Sequence, residues 1–163
     1  MLPNEDSIDV IDRAAGLAPG DALHAARRFR AKVVEATQAS HDALLTEPVQ
    51  GLSTADRLRV AMRACEVAGA ASLAKHYGER LAAATDREAP SSPALDAMLA
   101  FASTLTTDPR KGDQAALEAL RRAGLADAAI VALAQLVAFL SYQLRVVAGL
   151  GALSAFKAQE GTR

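Results

Sequence analysis

The sequence holds one cysteine, Cys65, no tryptophan, and only two tyrosines and four phenylalanines in 163 residues. A single thiol excludes an intramolecular disulfide and any mechanism that closes two cysteines within one chain. It also fits a reducing compartment, so a cytoplasmic location is expected. An excess of one charge is missing as well: 18 basic and 19 acidic side chains leave a net charge of −1. A general polyanion binder needs a basic excess, which argues against nucleic acid as a partner. The one basic cluster, "ARRFRAK" over residues 26–32, reads as a solvated helix face rather than a nucleic-acid stripe. The opening "MLPNEDSIDVID" is acidic, whereas a secretory signal needs a basic start and an apolar core. The apolar stretch over residues 128–140 contains Gln135 and is followed by Ser141, Gln143 and Arg145. It falls short of the roughly 20 apolar residues of a bilayer span, so a buried core helix and no membrane association are expected. No period-two run lies between turn signals, which leaves no candidate strand.

Alanine fills much of what remains. Hydrophobic residues make up 51 % of the chain and aromatics 4 %, with runs such as "RLAAATD" and "DAAIVALAQLVAFL". Alanine is the best helix former and a poor filler of sheet surfaces. The expected fold class is therefore all-α, with close helix packing. Gly- and Pro-rich segments at 16–21, 46–53, 88–93 and 106–113 break the helical pattern. Leu23, Ala26, Phe29, Val33, Thr37 and Leu44 mark one face of a long helix. Leu95, Met98, Leu99, Ala102 and Leu105 mark a second, and Ala116, Leu117, Leu120 and Ala123 a third. Ser53 with Asp56 three residues on is a capping-box variant. Ser92–Pro93 places a hydroxyl cap before proline at the first helical position, Asp113 precedes "QAALEAL", and Gly124 ends that helix.

The last long segment, about 126–150, is apolar almost all round. A helix without a polar face is buried on all sides, and in a domain this small other subunits must supply part of the cover. A homo-oligomer formed through this helix is expected. "GLSTADRLRVAMRACEVAG" and "GLADAAIVALAQLVAFL" share a Gly-Leu, a short cap and an Ala/Val-rich helix, which suggests two similar helices packed together. The chain divides into an N-terminal helical extension over 1–50, a helical core over 51–152 and a tail over 153–163, all within one domain.

Residues 101–151 resemble the second half of the carboxymuconolactone decarboxylase (CMD) and AhpD-like alkylhydroperoxidase fold. The resemblance rests on a Leu-Thr turn at 105–109, a helix end at 120–127 and a long apolar helix carrying Arg145. "LSTADRLRVAMRACEVAGAASLAKHYGERL" over 52–81 is similar to the helix pair that bears that family's active site. "DVIDRAAGLAPGDAL" is similar to an uncharacterised subfamily with an N-terminal extension. The resemblance implies, for the peroxidases, a Glu, a Cys twelve residues later, a second Cys three on and a His four after that. Aligned on His76, these positions hold Arg57, Gly69, Ser72 and His76. Only the histidine is kept, so the dithiol peroxidase reaction is lost within one chain. The decarboxylase branch acts on a lactone acid without a cysteine pair, and Arg57 stands where a cation would meet such an acid.

The candidate catalytic residues are His76, Ser72 and Cys65, with Arg57 and Tyr77 as candidate substrate-binding residues. Ser72 and His76 are one helical turn apart and share a face. On one unbroken helix Cys65 and His76 would be displaced by about 16 Å, at ~1.5 Å per residue, so the ring would not activate the thiol; a break near Gly69 would bring them closer. The neighbours of Cys65 are small and apolar, which makes it a packing residue rather than a low-pKa thiolate. Tyr77 and Tyr142 read as core rings with hydroxyls at the rim. His24 reads as exposed and His41 as a satisfied core histidine. Three histidines with no shared short spacing give no metal site, and no phosphate loop or dinucleotide fingerprint implies a cofactor. Three readings of function follow: an AhpD-like protein that binds or transforms a small molecule near His76, a hydroperoxide-reducing enzyme using Cys65 alone, and a non-catalytic helical oligomer or partner subunit.

Overall fold

In a computed structural model, residues 9–86 and 91–160 are described. Among them are eight α-helices and one 3-10 turn, and no strand beyond a single bridge between Val49 and Leu52. The helices are α1 (Val10–Ala14), α2 (Ala22–Arg28), α3 (Ala31–Thr46), α4 (Thr54–Val67), α5 (Ala71–Ala83), α6 (Pro93–Thr107), α7 (Gln114–Arg122) and α8 (Asp127–Glu160), with the 3-10 turn Pro109–Lys111 between α6 and α7. The helix starts are set locally. Ser53 accepts from the Asp56 N–H and donates to the Asp56 carboxylate at 2.9 Å. Ser92 caps α6 ahead of Pro93, and Asp113 caps α7. Gly124 follows α7 with φ +95°, the left-handed conformation open to glycine. The break at 88–93 falls partly outside the described residues.

The core centres on α4, which packs on α3, α5, α6 and α8. Ala55, Leu58, Val60, Ala61, Ala64 and Cys65 of α4 are buried against Leu73 and Tyr77 of α5, Met98 and Ala102 of α6, and Leu133, Leu136 and Leu140 of α8. Alanines at the α4 contact let the helix axes approach closely, and the few large residues fill the gaps between them. The two segments that share a Gly-Leu start become α4 and α8, which pack on each other. One polar bond crosses this core: the Tyr77 hydroxyl donates to Gln143 Oε1 at 2.6 Å, tying α5 to α8.

Two sequence expectations are corrected. The long helix over 23–44 is two helices, broken at Phe29–Arg30, because its buried stripe is not the one drawn from spacing. Val34, Gln38, His41 and Leu45 face α4 and α8, whereas Phe29 is 87 % and Val33 53 % exposed. The basic cluster is only partly a solvated face: Arg28, Arg30 and Lys32 are exposed, while Arg27 is turned inward. Arg27 donates to Asp12 at 2.8 Å and to Asp9 at 3.0 Å, Arg28 donates to Asp12 at 2.7 Å, and both carboxylates are buried. His24 lies beside the same clasp, 3.7 Å from Asp12 and half-buried. Within this chain α8 buries one face. Ala129, Ile130, Leu133, Leu136, Val137 and Leu140 face the core, while Val131, Tyr142, Leu153 and Phe156 are exposed. Over 127–157 this helix is long and apolar enough to cross a membrane by length and composition, and 33 % of that window is buried in the fold.

Tyr77→Phe removes the core hydrogen bond and leaves the buried Gln143 oxygen without its donor. The expected loss is about 1–3 kcal/mol of unfolding free energy, read from urea denaturation; an unchanged midpoint at unchanged slope would show that this bond contributes nothing.

Candidate functional site

The site begins at a chain reversal. α4 ends at Val67, and Gly69 adopts φ +70°. The Gly69 N–H donates to the Glu66 carbonyl and the Ala70 N–H to the Cys65 carbonyl at 2.8 Å, closing the last turn of α4. α5 starts at once, with Ala70 as its cap residue and no side-chain cap bond. Ser72 is thus in the first turn of α5, and His76 lies one turn further on the same face.

A cavity of about 240 Å³ opens there, lined by Val10, Arg13 and Ala14 of α1 and by Ser72, Lys75, His76 and Glu79 of α5. Ser72 and His76, paired by spacing alone, do share this wall. Arg13 has no ion-pair partner among the described residues, while Lys75 lies 3.8 Å from Glu79. The wall is therefore mixed in charge, with Arg13, Lys75 and the Glu79 carboxylate. His76 Nε2 is buried without a hydrogen-bond partner. Burial, then the neighbouring His41, Arg80 and Arg13, push the His76 pKa down to about 4 against the opposing pull of Glu79. The ring is neutral at pH 7 and holds a free lone pair.

A second imidazole stands behind it. His41 of α3 is 2 % exposed, its ring centre 6.0 Å from that of His76 and 6.0 Å from that of Tyr77. Its Nδ1 lies 2.9 Å from the Asp42 carboxylate, and its Nε2 is buried without a partner. Burial lowers the His41 pKa more than Asp42 raises it. Gln38 connects this pair to α1: its Oε1 accepts from the Val10 N–H at 3.2 Å and its amide donates to Asp42 at 3.0 Å. His41 is therefore buried, as read from the sequence, but satisfied on one nitrogen only. The cluster Gln38, His41, Asp42, at spacings that place all three side chains within one turn, was the signal in the sequence.

The remaining candidates lie elsewhere. Arg57 is 3 % exposed and absent from the lining of the His76 cavity. Its guanidinium donates to the Leu44 carbonyl at 3.1 Å, so it joins α4 to the end of α3. Burial lowers its pKa. Cys65 is fully buried in the α4 core, and burial first, then Glu66, push its pKa up to about 12. Such a thiol is protonated and a poor nucleophile. Tyr77 is a core ring whose hydroxyl is committed to Gln143, and burial raises its pKa. Tyr142 is exposed, with its hydroxyl 3.5 Å from that of Thr37. Gly69 does not share the His76 cavity. It lines a separate one of about 410 Å³ with Thr106, Ser141 and Arg145. The turn thus parts Gly69 and Ser72 onto two openings. No cluster of three metal-ligating side chains occurs among the described residues.

The two imidazoles make stability pH-dependent with a fixed sign. Both pKa values are lower in the folded chain than the ordinary 6.5. Their contribution is full above that value and is lost as pH falls, because the unfolded chain then binds protons that the native one refuses. For His76 the loss by pH 4 is at most on the order of 3 kcal/mol. Urea denaturation between pH 7.5 and 4.5 is expected to show falling stability, and His76→Gln a flatter profile; parallel profiles would contradict the assignment.

No family model and no curated protein matches the sequence. Solved structures do. An uncharacterised peroxidase-related protein from Silicibacter sp. TM1040 aligns at a TM-score of 0.59 and 21 % identity, over 86 % of this chain and 78 % of that one. An alkylhydroperoxidase AhpD core protein, also peroxidase-related and uncharacterised, from Ralstonia eutropha JMP134 aligns at a TM-score of 0.53 and 26 % identity, over 85 % of this chain and 78 % of that one. The all-helical architecture expected from composition, and the family resemblance carried by residues 52–81 and 101–151, meet in these likenesses: the chain has the AhpD-like fold of the alkylhydroperoxidase and carboxymuconolactone decarboxylase superfamily.

Proposed function

We propose that this chain binds, and acts on, a small acidic molecule in the cavity at His76, without dithiol peroxidase chemistry. One observation carries the reading: neutral His76 shares a concave wall with Ser72, Arg13 and Lys75. An anionic ligand gains from the unpaired guanidinium. A neutral imidazole beside it is poised to accept a proton. Arg57, the cation expected from sequence, is replaced in this role by Arg13 and Lys75. The single-thiol peroxide reading finds little support, since Cys65 is buried and protonated.

Acetate, succinate and benzoate serve as probes, followed by NMR of the His76 ring. At least one is expected to shift these resonances saturably at millimolar concentration, and Arg13→Ala to weaken that binding about tenfold, or about 1.4 kcal/mol. Absence of any saturable shift with all three probes would overturn the reading.

The uncovered face of α8 supports a second copy of the chain as partner. Residues 128, 131, 135, 138, 142, 145, 149, 152 and 156 alternate at spacings of three and four, and Arg145 is the one charge among them. Such a stripe is self-complementary in a helix pair, and its exposed Val131, Tyr142 and Phe156 gain from cover. Light scattering coupled to size exclusion is expected to give a dimer or larger assembly, and Val131→Glu with Phe156→Glu a monomer. A monomeric wild-type chain at micromolar concentration would exclude this.

A further inference from the structure

His41 is unused by the cavity reading, yet it is a buried titratable group held by a carboxylate. It is 2 % exposed, and its Nδ1 sits 2.9 Å from Asp42 Oδ1. A carboxylate at that distance holds the proton on Nδ1, which leaves Nε2 as a lone-pair acceptor. No protein donor reaches it. The Tyr77 hydroxyl, on a ring 6.0 Å away, is spent on Gln143, and Phe139, at 6.2 Å, offers only apolar edge. His76 Nε2 is in the same condition, buried and without a partner. Two orphaned imidazole nitrogens on rings 6.0 Å apart are an expensive arrangement unless something fills the gap, because each buried unsatisfied acceptor costs about 1–3 kcal/mol.

A metal ion is disfavoured as the filler. No group of three His, Cys, Asp or Glu side chains able to hold one occurs among the described residues. A water molecule, with two O–H donors, satisfies both nitrogens without one. We propose that His41 and His76 form one proton-handling couple joined through their Nε2 atoms by a single water molecule, with His41, oriented by Asp42, as the base. When an acid enters the His76 cavity, its O–H bond breaks, the bridging water takes that proton and passes one of its own to His41 Nε2. The resulting imidazolium faces the Asp42 carboxylate, and the electron pair stays on the acid's oxygen in the cavity lined by Arg13. No oxidant or reductant takes part. The groups facing the couple are Asp42, Asp9, Glu79, Arg13, Arg80 and Tyr77. Asp42 is a positioning residue. Gln38 extends the same chain of bonds to the Val10 backbone, so the docking of α1 and the orientation of His41 are set together. This inference deepens the proposed function by naming proton transfer as its chemistry.

Its test is made on the ligand-free protein, so that failure of acid binding leaves it readable. Two-bond nitrogen–proton NMR spectra of the imidazoles at pH 7 report tautomer and hydrogen bonding. His41 is expected as the Nδ1–H tautomer with its Nε2 resonance displaced toward that of a hydrogen-bonded acceptor. In His76→Phe the water loses one anchor, and that resonance is expected to move to the position of a bare lone pair. In Asp42→Asn the fixed tautomer is expected to give way to a mixture. Melting curves confirm that both variants are folded; where His76→Phe is not, His76→Gln takes its place. A bare His41 Nε2 in the wild-type chain, or a His41 signal indifferent to replacement of His76, would overturn the couple.

Discussion

The reversal at Gly69 is the constraint on which the site depends. α4 must stop within one residue of its buried stripe so that α5 can return along it, and the backbone there takes φ +70°. An L side chain at that angle costs on the order of 1 kcal/mol or more, which accounts for glycine at this turn. The turn also decides direction. It places Ser72 in the first turn of α5, points His76 at α1 and α3, and leaves Gly69 facing the other cavity.

The N-terminal segment completes the site. α1 is only five residues long and could not persist alone. Asp9 caps its first N–H groups, and Asp9 and Asp12 receive Arg27 and Arg28 of α2. Buried ion pairs contribute less to net stability than to geometry, since desolvation offsets most of the attraction. Here the geometry is the wall of the His76 cavity, which α1 supplies through Val10, Arg13 and Ala14. A helical core with the AhpD-like fold thereby acquires a pocket wall from residues outside its central helices.

The buried polar groups divide by how they are satisfied. Tyr77 and Gln143 answer each other and act as a fastener between α5 and α8. Arg57 reaches a backbone carbonyl and leaves Nε without a partner. His41 and His76 each keep one nitrogen unmatched. In a core built from Ala, Leu and Val, these unmatched nitrogens are the departures from full hydrogen bonding.

Composition and local signals by themselves determined the helical class, the caps at Ser53, Ser92 and Asp113, the end at Gly124 and the absence of a second thiol. Each depends on propensity, on a hydrogen bond within four residues, or on a count of sulfurs. The spacing of Ser72 and His76 also survived, because one helix carries both. What spacing could not decide was the face that each helix buries. An alanine-rich helix offers several nearly equivalent stripes, and only packing on α4 and α8 selected Val34, Gln38, His41 and Leu45 over the stripe through Phe29 and Val33. The same selection buried Arg57, brought Arg13 into the pocket and set His41 against His76. These pairings join residues on different helices, and their energies come from tertiary burial and charge, which no local pattern encodes.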